Sequence, residues 1–201
     1  MHISLDSALG RQRRLNSVGE SVLQIAPNAA AAYSLRSLTG GDPKVVRVRR
    51  SSDNGEQDFT ASGVSSGALV AFVGSGNDGF VETWYDQSGN SKNAVQETAG
   101  SQPKIVSAGS LLNELLFEGS QLFDTITLSG SAQPNSIFTV SNTNVASQTR
   151  GIYGTNVSQA GYYRSSNKHA IFSTGTGSGT LEGAAYVADR DYLRFDLFNG
   201  A

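Results

Sequence analysis

The side chains that could carry out chemistry in this sequence are mainly carboxylates. Cysteine is absent, and the only two histidines, His2 and His169, lie far apart along the chain. The sequence therefore offers no thiol nucleophile, no disulfide and no multi-histidine metal site. A Ser-His-Asp triad would have to use one of these histidines, and we interpret His169 as an ordinary surface or edge residue. A P-loop motif is absent too, and we predict neither a cofactor nor a bound metal.

Paired carboxylates are the remaining enzymatic option. A glycosidase needs two carboxyl groups, about 5–5.5 Å apart in retaining enzymes and about 6.5–9.5 Å apart in inverting ones. The sequence has seventeen acidic residues, which form many possible pairs, and their number alone does not indicate which pair could be catalytic. The acids in polar, loop-like stretches are Asp53, Glu56, Asp58 and Asp86.

Two of these stretches have the composition of Asx-turns. In such a turn a carboxylate accepts a hydrogen bond from a backbone amide two residues further on. Asp53 precedes Asn54, and Asp86 begins the run DQSGN. We therefore predict structural loop roles, no catalytic residue and no enzyme activity; the loop residues are Asp53, Asp86, Ser88 and Asn90.

Aromatic side chains could contribute to binding, because sugar rings stack on aromatic faces. Tyr162 and Tyr163 are our candidates for glycan contact. Trp84 is the only tryptophan and lies in the middle of a predicted strand, so we interpret it as a core residue.

Composition predicts short strands and tight turns. Charged residues make up 16% of the 201 residues, and glycine occurs 23 times. These values disfavour helical bundles and coiled coils, whose helices need charged, glycine-poor surfaces. The net charge of −2 gives no broad attraction to nucleic acid. Apolar runs stay well below the roughly 18 residues of a membrane span. We therefore expect no nucleic acid among the partners and no membrane span.

The first 26 residues are predicted to form an extended arm. Their apolar residues follow neither a strand nor a helix period. We expect this arm to anchor the protein to another subunit or to a copy of itself, through Leu5, Leu9, Arg11, Arg13, Arg14 and Leu15. The alternative is that the arm packs on its own domain and that its arginines are solvated. The arginines follow a short, broken apolar stretch, which is the reverse of a signal peptide.

Two short helices are predicted after the arm. A helix at 29–38 is indicated by Pro27 and Asn28 before it and by two glycines after it. A shorter helix is predicted at 66–73. Each must dock on a sheet, because an isolated short helix is unstable in water.

Strands dominate the rest of the sequence. They are predicted at 44–50 and 80–87, with a polar loop at 51–58. From residue 102 strand-like segments recur every 8–12 residues or so, which is typical of a β-sandwich or barrel. The last segment looks like the first half of a hairpin, so we expect the native chain to continue beyond residue 201. The residues predicted to be mostly buried are Tyr33, Leu35, Val46, Val48, Phe72, Trp84, Phe117, Phe138 and Phe172.

Two stretches resemble known families. AAYSLRSLTGGDPKVVRVRRSSDNGEQDF (31–59) and GFVETWYDQSGNSKNAVQ with SQPKIV (79–106) resemble segments of bacteriophage tail and virion proteins, and of bacterial proteins with laminin-G-like jelly rolls. The YDQSGN core is also similar to the N-terminal part of the catalytic domain of fungal α-L-arabinofuranosidase B. That family is rich in disulfides, and its catalytic carboxylates lie in the later part of a longer domain. Neither carboxylate can be placed on a matching position here.

The resemblance implies a fold and a role. The fold is mainly β: a concanavalin-like β-sandwich (jelly roll) over 27–201, with one or two short helices and the arm at 1–26. The role is a structural component of a phage virion (a tail fibre, tail-tip, baseplate or head-decoration subunit) that contributes to host-surface attachment. The expected partners are other virion proteins, further copies, with a trimer as the first expectation, and host surface polysaccharide. A glycan-binding module and an arabinofuranosidase-like glycoside hydrolase are the alternatives.

Overall fold

The structure of the chain is a computed structural model. It describes residues 21–25, 27–125, 135–144, 149–154, 159–164, 168–173 and 179–198. The chain divides into two compact units, residues 1–126 and 127–201, whereas the sequence analysis treats 27–201 as one sandwich. Residues 1–20 and 26 of the predicted arm, with all six of its named residues, lie outside the described part of the chain.

Unit 1 consists of one antiparallel sheet and short helices. Its strands are β1 (Lys44–Arg50), β2 (Glu56–Thr60), β3 (Gly79–Trp84), β4 (Ala94–Val95), β5 (Lys104–Ser107), β6 (Ser110–Leu116) and β7 (Asp124–Thr125). Its helices are α1 (Val22–Ile25), α2 (Ala61–Ser65), α3 (Ala68–Val73) and a 3-10 turn at Ala99–Ser101. The sheet order is β2-β1-β3-β4-β7, and β5 pairs with both β3 and β6.

The core of unit 1 lies between this sheet and the helices α2 and α3. Val46 and Val48 are fully buried, as predicted, with Val64 and Leu69 from the helices packed in the same cluster. Val45 is also fully buried, although strict alternation places it on the opposite face. The register of β1 against β2 shifts between Lys44 and Val46, and this irregularity breaks the alternation.

Close approach of α3 to the sheet explains the glycine at the start of β3. A β-carbon on Gly79 would lie 2.9 Å from Cγ2 of Val73, 3.2 Å from Cβ of Val106 and 3.3 Å from Cγ1 of Val48. Real β-carbons essentially never lie as close as the first of these distances. A side chain at position 79 would therefore push the helix away from the sheet.

The predicted polar loop at 51–58 is partly wrong. Residues from Glu56 onward form β2, which pairs with β1 in a hairpin whose turn contains Asp53. The register places Asp58 opposite Arg47 and Glu56 opposite Arg49. Opposite charges that lie directly across from each other on paired strands stabilise the pairing. The polar side chains of this stretch therefore belong to a strand with one solvated face.

The predicted helix at 29–38 is wrong. The segment is irregular, with bends and no helical turn, because other residues take up its backbone hydrogen bonds, as described below. The second predicted helix is confirmed as α3, and α2 precedes it with Thr60 as its N-cap: the Thr60 hydroxyl accepts a hydrogen bond from the Gly63 amide.

Unit 2 contains two antiparallel sheets. Its strands are β8 (Asn135–Ser141), β9 (Arg150–Gly154), β10 (Gln159–Arg164), β11 (Lys168–Ser173), β12 (Gly179–Ala185) and β13 (Tyr192–Phe198). One sheet has the order β12-β11-β10-β9, and the other is a two-stranded ribbon of β13 and β8. The prediction of a mainly β fold is thereby confirmed for both units.

Several predicted core positions differ in their burial. Tyr33, Leu35, Phe72 and Trp84 are partly buried, and the last three pack against the core of unit 1. Phe138 is 69% exposed and Phe117 is 46% exposed, so both predictions of burial are wrong. Phe138 lies on the outward face of the ribbon, whereas the buried Arg194 and Asp196 lie on its other face. Phe117 follows the end of β6. The side chain of Phe172 lies outside the described part of the structure.

The helices that the structure describes are all short. None of them is long and apolar enough to cross a membrane.

Candidate functional site: a clasp around Asp86

The loop after β3 holds the candidate site. The Tyr85 amide donates to the Val45 carbonyl at 2.9 Å, so the chain leaves the sheet at Asp86. Gly89 then adopts a φ of 89°, a left-handed conformation that glycine adopts without strain. The Asn93 side chain closes the loop by accepting a hydrogen bond from the Asp86 amide at 3.1 Å.

Four donors surround the Asp86 carboxylate. Its Oδ1 accepts from the amides of Ala32 and Ser88, each at 2.9 Å, and its Oδ2 accepts from the Ser88 hydroxyl at 2.8 Å and the Lys92 amide at 3.0 Å. Burial alone would raise the pKa of this carboxyl group, but the hydrogen bonds from Ser88, Lys92 and Ala32 outweigh it and lower the pKa. Asp86 therefore remains a carboxylate that orders the backbone around it.

Gln87 extends these contacts to the segment 29–38. It is buried, its Nε2 donates to the carbonyls of Ser34 and Arg36 at 3.0 Å each, and its Oε1 accepts from the Leu38 amide at 2.8 Å. Its own amide donates to the Ala32 carbonyl at 2.8 Å. All hydrogen-bonding atoms of this amide side chain are satisfied by backbone groups of one segment, which is what a buried glutamine requires.

Asn90 and Tyr33 complete the arrangement. The Nδ2 of Asn90 donates to the carbonyls of Ala29 and Ala30 at 3.0 and 3.2 Å. The Tyr33 hydroxyl donates to the Lys92 carbonyl, and its ring lies 5.5 Å from the Trp84 ring. Burial, with the nearby negative charge of Asp86, raises the pKa of Tyr33 to about 12.

We call this set the Asp86 clasp: the side chains of Asp86, Gln87 and Asn90, together with the segment 29–38 that they hold. It explains why that segment is not helical. A helix would use its own amides and carbonyls internally, whereas here the clasp and the Leu23 amide, which donates to the Leu38 carbonyl, use them. The turn-like composition of DQSGN predicts the loop roles of Asp86, Ser88 and Asn90, but nothing in the sequence marks Gln87 as a buried anchor.

Asp53, the other predicted loop acid, lies in the hairpin between β1 and β2. Its Oδ1 accepts from the Gly55 amide at 2.9 Å, and its two oxygens accept from Arg50 at 2.7 and 2.6 Å. The Arg50 guanidinium and the Gly55 amide lower the pKa of Asp53 to about 2. The pair is exposed to solvent, so its contribution to stability is small.

The carboxylates of β2 belong to an ionic cluster on the outer face of the sheet. Asp58 accepts from Lys44 at 2.8 Å, from Arg47 at 3.2 Å and from the Tyr85 hydroxyl at 2.8 Å. Glu56 accepts from Arg47 at 3.0 Å. Burial and the bond to Asp58 raise the pKa of Tyr85 to about 12. These acids are paired with cations across the strands.

The sequence contains one further motif that must be tested against the geometry. Residues 63–67 read GVSSG, which fits the G-x-S-x-G pattern of serine hydrolases. Ser65 is the last residue of α2, and its hydroxyl lies within hydrogen-bond distance of the carbonyls of Ala61 and Ser62 in its own helix. A nucleophile elbow instead places the serine between a strand and a helix, next to a histidine. The Ser65 hydroxyl is instead bonded within its own helix, so this motif is a local feature of α2.

Unit 2 contains a buried ionic group that sequence analysis did not detect. Arg194 Nε donates to the two oxygens of Asp196 at 2.8 and 2.6 Å, and the Tyr153 hydroxyl donates to Asp196 at 2.6 Å. The guanidinium also donates to the Ala170 carbonyl, so this group joins β13 to the four-stranded sheet. Burial and the charge of Arg194 lower the pKa of the neighbouring His169. The alternation in YLRFDLF, which puts Arg194 and Asp196 on one face, was the available signal.

The predicted glycan-contact residues lie on β10. Tyr162 pairs with Ala170 and Tyr163 with His169 of β11. The side chains of both tyrosines lie outside the described part of the structure. Among the residues that the structure does describe, no group of three or more acids and histidines could hold a metal ion.

Comparison with known proteins gives one structural similarity. No protein-family model matches this sequence, and no curated protein matches it. A solved structure described as a GH54 α-L-arabinofuranosidase soaked with a cyclic sulfate inhibitor is similar, with a TM-score of 0.50 and 14% sequence identity. The similarity covers 80% of this chain and 43% of that chain, so this chain spans less than half the length of that protein. At this identity the similarity shows the fold alone.

Proposed function

We propose that this chain is a non-enzymatic structural subunit in which a jelly-roll β-sandwich anchors an N-terminal assembly segment. The observation that carries the proposal is the Asp86 clasp. It directs the carboxylate of the most distinctive motif, DQSGN, toward backbone amides rather than toward a substrate. A carboxylate with four donors and a lowered pKa is a poor proton donor at neutral pH, where a general acid needs a raised pKa.

The position of the clasp supports the assembly role. The segment that it holds, 29–38, directly follows the predicted arm at 1–26. An arm that binds another subunit needs a fixed attachment to its own domain. A flexible linker in its place would leave the domain free to move relative to the partner. Side-chain bonds to six residues of the segment, from Ala29 to Leu38, provide such an attachment.

Within this proposal the assembly is a phage virion. This part rests on the sequence resemblance of residues 31–59 and 79–106 to tail and virion proteins. The partners are then other virion proteins and further copies of the chain, and the subunit is a tail fibre, a tail-tip or baseplate part, or a head-decoration protein. Contribution to host attachment through surface polysaccharide is compatible with this role.

Deletion of residues 1–20 tests the proposal. We expect the truncated chain to fold, with an unfolding transition close to that of the full chain, but to be absent from purified particles. Asp86→Ala, which weakens the attachment and leaves the arm in place, should reduce incorporation less than the deletion does. A truncated chain that folds and is fully incorporated would refute the assembly role. An unfolded truncated chain would support the alternative, in which the arm packs on its own domain.

Glycan binding is the second candidate. It is favoured by the fold shared with a structure described as an α-L-arabinofuranosidase, and cleavage is the stronger form of the same hypothesis. Calorimetric titration with arabino-oligosaccharides tests binding, and release of reducing sugar from arabinan tests cleavage. We expect no reducing sugar. Binding without cleavage would establish a recognition module, and cleavage would overturn the non-enzymatic proposal.

A further inference from the structure

The ribbon of β8 and β13 presents an apolar face to solvent. Val140 and Leu193 are directly opposite each other across the ladder and are 72% and 76% exposed. Phe138 is two residues from Val140 on the same face and is 69% exposed. Single exposed apolar residues are ordinary on protein surfaces, but adjacent ones form a patch, and patches mark interaction sites. We call Phe138, Val140 and Leu193 the ribbon face.

The ribbon cannot turn this face inward. On the opposite face Arg194 and Asp196 are buried, and they are bonded to each other, to the Tyr153 hydroxyl and to the Ala170 carbonyl. Rotating the ribbon would break the bonds to Tyr153 and Ala170 and would move the buried charge pair to the surface. Unit 2 therefore fixes the orientation in which Val140 and Leu193 point outward.

The charges beside the ribbon face indicate what covers it. The loop before β13 carries Asp189, Arg190 and Asp191, all exposed. This loop is tied to the end of β8, since the Asp189 amide donates to the Thr143 carbonyl and Asn142 donates to Asp191. Both signs of charge thus lie next to the same apolar patch. Such a surface is complementary to its own copy, whereas a strongly acidic or basic partner would meet like charges.

We propose that the ribbon face is a self-association surface, which a second copy of this chain covers. Val140 and Leu193 of one copy pack against the same patch of the other, and Arg190 meets the acidic groups of the partner's loop at the rim. An apolar centre with a polar rim is the usual composition of such interfaces. This inference does not depend on the proposed virion role. Three apolar side chains per copy make a small contact, so we expect association that depends on protein concentration.

Sedimentation of the full chain over a wide concentration range tests this. We expect the wild type to associate as concentration rises, and Leu193→Glu to weaken association by at least about tenfold, as loss of a central apolar contact does. Leu122→Glu is the matched control, because Leu122 is a half-exposed leucine of unit 1. It should associate like the wild type.

The outcomes are distinct. Loss of association in Leu193→Glu with retention in Leu122→Glu supports the proposal, whatever the number of copies. A wild type that stays monomeric at every concentration overturns it, as does equal association of all three proteins. If Leu193→Glu does not fold, as judged by circular dichroism, Val140→Ser gives the same test with a milder change.

A spin-label measurement gives a second test. Because the chain has no cysteine, a single label attached at Val140→Cys reports only distances between copies. A short distance between labels is expected for Val140→Cys and not for Leu122→Cys.

Discussion

At the scale of single residues, the Asp86 carboxylate is the most consequential group of unit 1. Asp86→Ala removes the acceptor for the amides of Ala32 and Lys92, which are partly buried and would be left unsatisfied. We expect the free energy of unfolding to fall by about 1–3 kcal/mol. Urea denaturation measures this change. Glu97→Ala, at an exposed loop acid, is the control and should change stability by less than about 0.5 kcal/mol; equal stability of the two variants would argue against the structural role.

The same residue predicts a pH dependence. The pKa of Asp86 is lowered in the folded state. Its stabilising contribution is therefore complete above the unfolded-state pKa, about 3.9, and is lost as pH falls through the folded-state value. Asp86→Asn has no such charge. The difference in unfolding free energy between wild type and Asp86→Asn should be constant near neutral pH and should shrink below about pH 4. A difference that stays constant into the acid range would show that the charge contributes nothing.

Sequence reasoning predicted some of these residues and missed others for a definite reason. Asp86 and Asn90 lie in the string DQSGN, whose composition is typical of a turn, and local turn preferences can be recognised in a sequence. Gln87 is equally important, but its partners are backbone groups of residues 34–38, about fifty positions away. Contacts between residues so far apart in the chain leave no periodic pattern in the sequence.

At the scale of elements, the contact of α3 with the sheet limits what position 79 tolerates. Gly79→Ala puts a methyl group 2.9 Å from Val73. We expect a loss of about 1–3 kcal/mol in the free energy of unfolding, as overpacking usually costs. Gly100→Ala is the matched control, because nothing lies within 4 Å of its added β-carbon. Thermal unfolding of both variants tests this expectation. Similar melting temperatures for the two would mean that α3 moves away from the sheet without loss of stability.

The buried ion pair of unit 2 allows a second test at this scale. Arg194→Met leaves the Asp196 carboxylate buried without its cation. Breaking a buried pair in this way typically costs about 3–5 kcal/mol. Adding Asp196→Leu removes the orphaned charge, and the double variant should regain much of the loss. Urea unfolding of the wild type, Arg194→Met, Asp196→Leu and the double variant forms the cycle that measures the pair. A double variant less stable than Arg194→Met would contradict this expectation and would mean that Asp196 stabilises unit 2 through other contacts, such as the Tyr153 hydroxyl.

The element predictions succeeded where periodicity and burial agreed. The pattern of β1 and of the strands after residue 102 gave their positions because alternating or apolar runs bounded by turn residues are strong strand signals. The prediction of a helix at 29–38 is wrong although cap and stop signals are present in the sequence. Helix propensity is a weak preference, and the side chains of Gln87 and Asn90 offer its backbone other partners.

At the scale of the whole molecule, the small net charge makes one prediction about solution behaviour. The sequence pI is about 5.6. Near that pH the electrostatic repulsion between copies vanishes, so apolar contacts between them act unopposed. We expect the solubility of the protein to be lowest near pH 5.6 and higher at pH 8, as measured by light scattering. Leu193→Glu, which adds a negative charge to the ribbon face, should be more soluble than wild type at pH 5.6; unchanged solubility would mean that other surfaces govern it.

The mainly β class could be predicted from the whole sequence, because glycine-rich turns and a low charge content are global properties. The division into two units could not. It follows from which strands pair, and pairings such as β8 with β13 join residues more than fifty positions apart.

The clasp also dictates an order of events during synthesis. Its hydrogen bonds join residues 54 positions apart between Ala32 and Asp86, and 61 apart between Ala29 and Asn90. Closing loops of that length is slow compared with forming a hairpin such as β1–β2. The segment 29–38, although made early, lacks its partners in the clasp until the residues from Asp86 to Asn90 have been translated. The segment 29–38 of a nascent chain therefore remains undocked from the clasp after the first hairpin has closed, and it is accessible during that interval to chaperones, proteases and other nascent chains.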